Sequence, residues 1–186
     1  GRKGSAGTPL RLAAVKIVGI DGEPLPAEEK GEIVVSGPNV TPGYWRLDEA
    51  TKEAFDAEGW FRTGDIGYLD EEGYLYICDR KKDMIITGGE NVYPAEVEGV
   101  LLTHPAISEV AVIGLPDDKW GERVTAVIAL SHNAALSIED LDIFLSDRLA
   151  RFKQPRTLRF VDALPRNPAG KVQKFALREM LLAPLD

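Results

Sequence analysis

A chain of 186 residues, 44% hydrophobic and 28% charged, has room for one domain or two small ones and has the composition of an ordinary folded protein, not a disordered one. Its formal net charge of −8, from 22 basic and 30 acidic residues, argues against nucleic acid as the partner of the whole chain. No apolar run approaches the roughly 18 residues that cross a bilayer, and the single cysteine, Cys78, makes neither an internal disulfide nor, by itself, a metal site. The start, Gly1-Arg2-Lys3-Gly4-Ser5, has no initiator methionine and none of the zones of a signal peptide, so it reads as a cut end. A cytoplasmic protein is expected, with peripheral attachment to a membrane left open.

The first part of the chain reads as β. Residues 12–18 and 31–36 are strand candidates, bounded by Asp21-Gly22, Pro24, Pro26 and Gly37-Pro38. Residues 48–55 form a short helix with Asp48 as its cap. Residues 66–69 and 74–78 alternate apolar and aromatic side chains around Asp70-Glu71-Glu72-Gly73, which predicts a hairpin.

At Asp79-Arg80-Lys81-Lys82-Asp83 the pattern changes to alternating helices and strands. Pro94 opens a helix to about residue 103, with Val97, Val100 and Leu101 on one face. Strands are expected at 108–113 and 124–130, separated by a polar loop at 116–122. Ser137 caps a further helix with Asp140 three residues on. A third strand at 157–161 and a last helix at 175–182 complete an α+β arrangement: a β-rich, barrel-like subdomain, then a small α+β domain with a three-stranded sheet and helices. Between Arg148 and Arg178 nine basic residues face a single acid, Asp162, and such asymmetry suggests a C-terminal surface turned toward an anion, a solvated basic face being the plainer alternative.

Three places hold chemistry in principle. In Thr63-Gly64-Asp65 a short carboxylate follows a glycine, where it can accept hydrogen bonds from a vicinal diol; a turn-stabilising Asp is the commoner explanation. Arg80, Lys81 and Lys82 lead into Thr87-Gly88-Gly89, whose backbone can approach a ligand closely or be a plain surface loop. Lys171 stands at the tip of the Pro/Gly loop Pro165-Arg166-Asn167-Pro168-Ala169-Gly170, where an ammonium can neutralise charge on a transferring phosphoryl group or remain solvated.

Together, Gly43-Tyr44-Trp45, Gly59-Trp60-Phe61-Arg62-Thr63-Gly64-Asp65, Asp79-Arg80-Lys81-Lys82-Asp83, Gly88-Gly89-Glu90-Asn91-Val92-Tyr93-Pro94-Ala95-Glu96-Val97-Glu98 and Asn167-Pro168-Ala169-Gly170-Lys171-Val172-Gln173-Lys174 closely resemble the C-terminal third of the adenylate-forming acyl-CoA synthetase superfamily, in wording nearest to fatty-acid-CoA ligases. The resemblance implies two steps with ATP and coenzyme A as substrates: a carboxylic acid, expected to be a fatty acid, becomes an acyl-adenylate, then CoA displaces AMP. It implies that Asp65 binds the ribose hydroxyls, Arg80 supports the nucleotide, and Lys82 lies in a hinge at 80–82. Lys171 would be the catalytic lysine of adenylation, and Gly88, Gly89 and Glu90 the loop presented for thioester formation. Residues 1–79 would then be the last β subdomain of a large AMP-binding domain and 83–186 a complete lid.

The family's phosphate loop and its Tyr-Gly-x-Thr-Glu motif, whose Glu places Mg2+, are absent from this sequence, so a fragment that is inactive alone is expected, with its large N-terminal domain as partner. A second lysine that some members carry near the hinge has Ile86 at about its place. Alternatives are an adenylation domain that loads a carrier protein, or a non-catalytic binding module.

Overall fold

The computed structural model describes residues 2–183 and divides the chain into two compact units, Gly1–Lys82 and Asp83–Asp186. In the first, β1 (Ala14–Val18), β2 (Gly31–Ser36), β3 (Phe61–Leu69) and β4 (Leu75–Arg80) form a four-stranded antiparallel sheet in chain order. The barrel-like subdomain expected from the sequence is thus a meander with β1 and β4 as its outer strands. The free edge of β4 takes up the start of the chain, where Ala6 N donates to Leu75 O and Leu75 N to Gly7 O, each at 2.8 Å. Ile17, Val18, Ile33, Val34 and Ile66 are buried.

The hairpin at 70–73 forms because Asp70 Oδ1 accepts the backbone N–H groups of Glu72 (3.0 Å) and Tyr74 (2.9 Å). β3 begins at Phe61, earlier than the sequence suggested, and so contains Thr63-Gly64-Asp65. Asp48 does not cap α1 (Asp48–Ala54): the cap position is Leu47, without a side-chain bond, and Asp48 and Glu49 act only as first-turn carboxylates on the helix dipole. Thr51 closes that end instead, accepting from Tyr44 N (2.9 Å) and donating to Leu47 O (2.8 Å).

The second unit is built on a five-stranded sheet. The expected three strands are β7 (Ile107–Asp117), β8 (Gly121–Leu130) and β9 (Thr157–Phe160), and the hairpin of β5 (Ile85–Thr87) and β6 (Glu90–Val92) extends them. β7 and β8 are antiparallel; β9 lies parallel to β8 after a crossover through α3 (Ile138–Leu145). The polar stretch expected as a loop at 116–122 mostly continues the ladder, with Pro116 opposite Glu122 and Asp117 opposite Gly121. Pro116 is tolerated because it shares the strand parity of Val112, whose N–H points away from β8 to a side chain, so the missing N–H costs no ladder bond.

Both faces of this sheet are covered, which explains the unbroken apolar runs in β7 and β8. Val110, Val112, Val124, Ala126 and Ile128 pack with Val97 and Leu101 of α2 (Pro94–Leu101) and Leu141 and Leu145 of α3. Ala111, Ile113, Leu115 and Val127 pack with Leu164 and with Leu177 of α4 (Lys174–Leu182). α3 starts with the expected capping box, Ser137 Oγ accepting from Asp140 N at 3.0 Å.

Candidate functional site

In the first unit Asp65 and Arg80 are register partners across β3 and β4, and Arg80 Nε donates to Asp65 Oδ1 at 2.9 Å. The local chain is fixed by Thr63, whose Oγ1 accepts from Asp65 N (3.1 Å) and donates to Ile33 O (2.8 Å). One carboxylate oxygen is therefore oriented by the guanidinium, while Oδ2 has no partner among the described residues and can accept from ligand hydroxyls. An open cleft of about 530 Å³ beside them is lined by Gly64, Arg80, Lys81 and Lys82.

Glu32, which sequence reading passed over, is 6% exposed and accepts from Arg62 Nη1 (2.8 Å) and Lys81 Nζ (2.9 Å) on one oxygen. A buried carboxylate needs such partners. Its only trace in the sequence is an acid inside an apolar strand. Lys82 is exposed and has no acidic partner among the described residues. Trp45 is exposed.

In the second unit Gly88 and Gly89 form the two-residue turn between β5 and β6, with φ of +60° and +86°. That is the pair of positive φ values a tight, twisted hairpin requires. Close approach at Gly88 is taken up by Trp120, whose ring a Cβ at position 88 would meet at 2.9 Å and whose carbonyl accepts Gly88 N–H at 2.8 Å. At Gly89 nothing lies within 4 Å of that point, so it is Gly89, with exposed Glu90, that leaves backbone open to a ligand.

Lys171 is carried by a tight turn. Asn167 Oδ1 accepts the N–H groups of Ala169 (3.1 Å) and Lys171 (2.9 Å), Asn167 N donates to Lys171 O (2.9 Å), and Arg166 Nη1 donates to Gly170 O (2.7 Å). The backbone is thus held while the exposed ammonium has no partner among the described residues.

Most of the surrounding positive charge is already matched. Arg148 pairs with Asp147 (2.6 Å), Lys153 with Glu96 (2.5 Å), Arg166 with Glu109 (2.9 Å) and Lys174 with Glu98 (2.7 Å), and Arg178 approaches Asp83 at 3.8 Å. Arg156 lies 4.5 Å from the centre of the Trp120 ring. The anion-facing surface expected from charge is accordingly reduced to Arg151, Arg156, Arg159 and Lys171, the cations of that segment without an acidic partner among the described residues. Among the described residues no group of three or more His, Cys, Asp or Glu is placed to hold a metal, so the Mg2+ that the resemblance implies finds no ligand set here. No helix among them is long and apolar enough to cross a membrane.

The family described as AMP-binding enzyme C-terminal domain matches residues 96–171, and that described as AMP-binding enzyme matches residues 1–45. A long-chain-fatty-acid–CoA ligase of Mycobacterium tuberculosis is 50% identical over 182 residues, covering 98% of this chain and 36% of the relative. A 2-succinylbenzoate–CoA ligase of Geobacillus kaustophilus is 51% identical over 178 residues, covering 96% of this chain and 36% of the relative. The crystal structure of ATP-bound MatB from Rhodopseudomonas palustris superposes with a TM-score of 0.89 at 44% identity, over 97% of this chain and 36% of that one. The chain thus spans little more than a third of the length of the proteins it matches.

Proposed function

We propose that the chain, which the two AMP-binding enzyme families match over residues 1–45 and 96–171, acts as the C-terminal part of an ATP-dependent acyl-CoA ligase together with a large domain of the same polypeptide. In the first step an acid carboxylate attacks the α-phosphorus of ATP and pyrophosphate leaves. In the second the CoA sulfur attacks the acyl carbonyl, its proton is lost and AMP departs. Asp65 receives the ribose hydroxyls on its open oxygen, and Arg80 orients that carboxylate and supports the nucleotide. Lys171 bridges the acid carboxylate and the α-phosphate, Gly88, Gly89 and Glu90 present the thiolation face, and Lys82 is the pivot between the β subdomain, 1–79, and the lid, 83–186.

The observation that carries this reading is Lys171: a backbone-locked turn presents an ammonium without a partner among the described residues, while Arg166 and Lys174 on its flanks are both tied to acids. Such a group gains most from charge that develops only during reaction. A fatty acid is proposed as substrate because a long-chain-fatty-acid ligase is among the relatives, and an aryl acid is the alternative because a 2-succinylbenzoate ligase is another.

The test is a pair of half-reactions in the full-length protein. Lys171→Ala should lose ATP–pyrophosphate exchange by about 100-fold or more, the scale of one removed transition-state donor, while thioester formation from supplied acyl-adenylate persists. Equal loss of both half-reactions would defeat the assignment.

A further inference from the structure

We infer that Glu98 is a positioning residue for Lys171, acting through Lys174; the inference rests on the adenylation role proposed above. The turn that carries Lys171 is anchored on both flanks. On its N-terminal side Arg166 pairs with Glu109 at 2.9 Å, but these side chains are 44% and 37% exposed, so the pair is weak and screened by salt. On its C-terminal side Lys174 Nζ lies 2.7 Å from Glu98 Oε1, with side chains only 17% and 19% exposed.

The location of Lys174 is not explained by helix stability. It is the first residue of α4, where a cation opposes the helix dipole, and the preceding Gln173 provides no side-chain cap. What accounts for it is Glu98. The same Glu98 oxygen accepts Val112 N–H at 2.8 Å from the outer edge of β7. One carboxylate in α2 therefore joins the sheet edge to the start of α4, three residues beyond Lys171. Displacement at Lys174 passes to Lys171 because Gln173 N donates to Pro165 O at 2.9 Å and Arg166 bridges Val172, which close the turn as one piece. Further along α4, Leu177 is fully buried, so the helix body stays in place when its first residue is released.

Glu98→Gln keeps an acceptor for Val112 N–H and removes the charge that holds Lys174. In the full-length protein it should lower the kcat of pyrophosphate exchange about tenfold or more, the consequence of a small misplacement of a reacting group, and leave thioester formation from supplied acyl-adenylate within about twofold of the parent. Lys174→Met should do the same, and Lys174→Arg should restore exchange. Independently of activity, hydrogen exchange at the Gly170 and Lys171 amides should quicken in Glu98→Gln while that of Leu177 stays slow. Unchanged exchange at Gly170 and Lys171 overturns the brace whether or not the parent is a ligase, as does an equal fall in both half-reactions. A parent without adenylation activity overturns the proposed function instead, and the amide rates still judge the brace.

Discussion

At the scale of single residues, Asp70 shows how one carboxylate fixes a turn. Burial acts to raise its pKa, but the N–H groups of Tyr74 and Glu72 and the Arg2 guanidinium, 2.5 Å away, outweigh it, so the carboxyl titrates below its ordinary value. A group whose folded-state pKa is depressed contributes stability that is fully present above its unfolded pKa, about 3.9, and is lost as pH falls through the folded value. Asp70→Asn should therefore lower the urea midpoint of the first unit at pH 7, with the gap to the parent closing as pH is taken below about 4. A gap of the same size at pH 3 and pH 7 would show that the charge is not what matters. Asp65 differs in that one of its oxygens is held by Arg80 while the other has no partner among the described residues.

At the scale of elements, the β5–β6 hairpin depends on two consecutive positive φ values, and Gly88 is the more demanding because the Trp120 ring occupies the space of a Cβ. Gly89→Ala is expected to destabilise the second unit by roughly 1–2 kcal/mol, the cost of holding an L-residue in the left-handed region, and Gly88→Ala by more, because the Trp120 ring must also give way; thermal unfolding of the two variants would check the order. This hairpin escaped sequence reading because its strands are three residues each, below the length at which alternation is visible. The Ser137 capping box was legible for the opposite reason, since both partners lie within one helical turn. The polar stretch 116–122 suggested a loop, yet Pro116 and Asp117 pair with Glu122 and Gly121 because the ladder needs backbone groups, not apolar side chains. Motif wording pointed to Asp65, Arg80 and Lys171, but Glu32 and Glu98 were not legible. Their partners Lys81 and Lys174 are distant in sequence, and a carboxylate inside a strand or helix reads as solvent-facing until the fold buries it.

At the scale of the whole molecule, the junction between the units has a specific chemistry. Lys81 is tied to the first unit by buried Glu32 at 2.9 Å, and Asp83 lies 3.8 Å from Arg178 in the second. Lys82 stands between them without an acidic partner among the described residues, and it is the position proposed above as the pivot. Proline at that position locks φ near −65° and also disfavours the helical region for Lys81, which lies in the short 3-10 turn Lys81–Asp83. If adenylation and thioester formation use two lid orientations reached by rotation at Lys82, a chain locked at the pivot keeps one of them. Lys82→Pro in the full-length protein is then expected to retain pyrophosphate exchange within severalfold while thioester formation, from ATP and acid or from supplied acyl-adenylate, falls about tenfold or more, as hinge variants do when a conformational step sets the rate. Lys82→Ala, which leaves φ free, should keep both. Normal rates in both half-reactions for the proline variant would show that the pivot lies elsewhere.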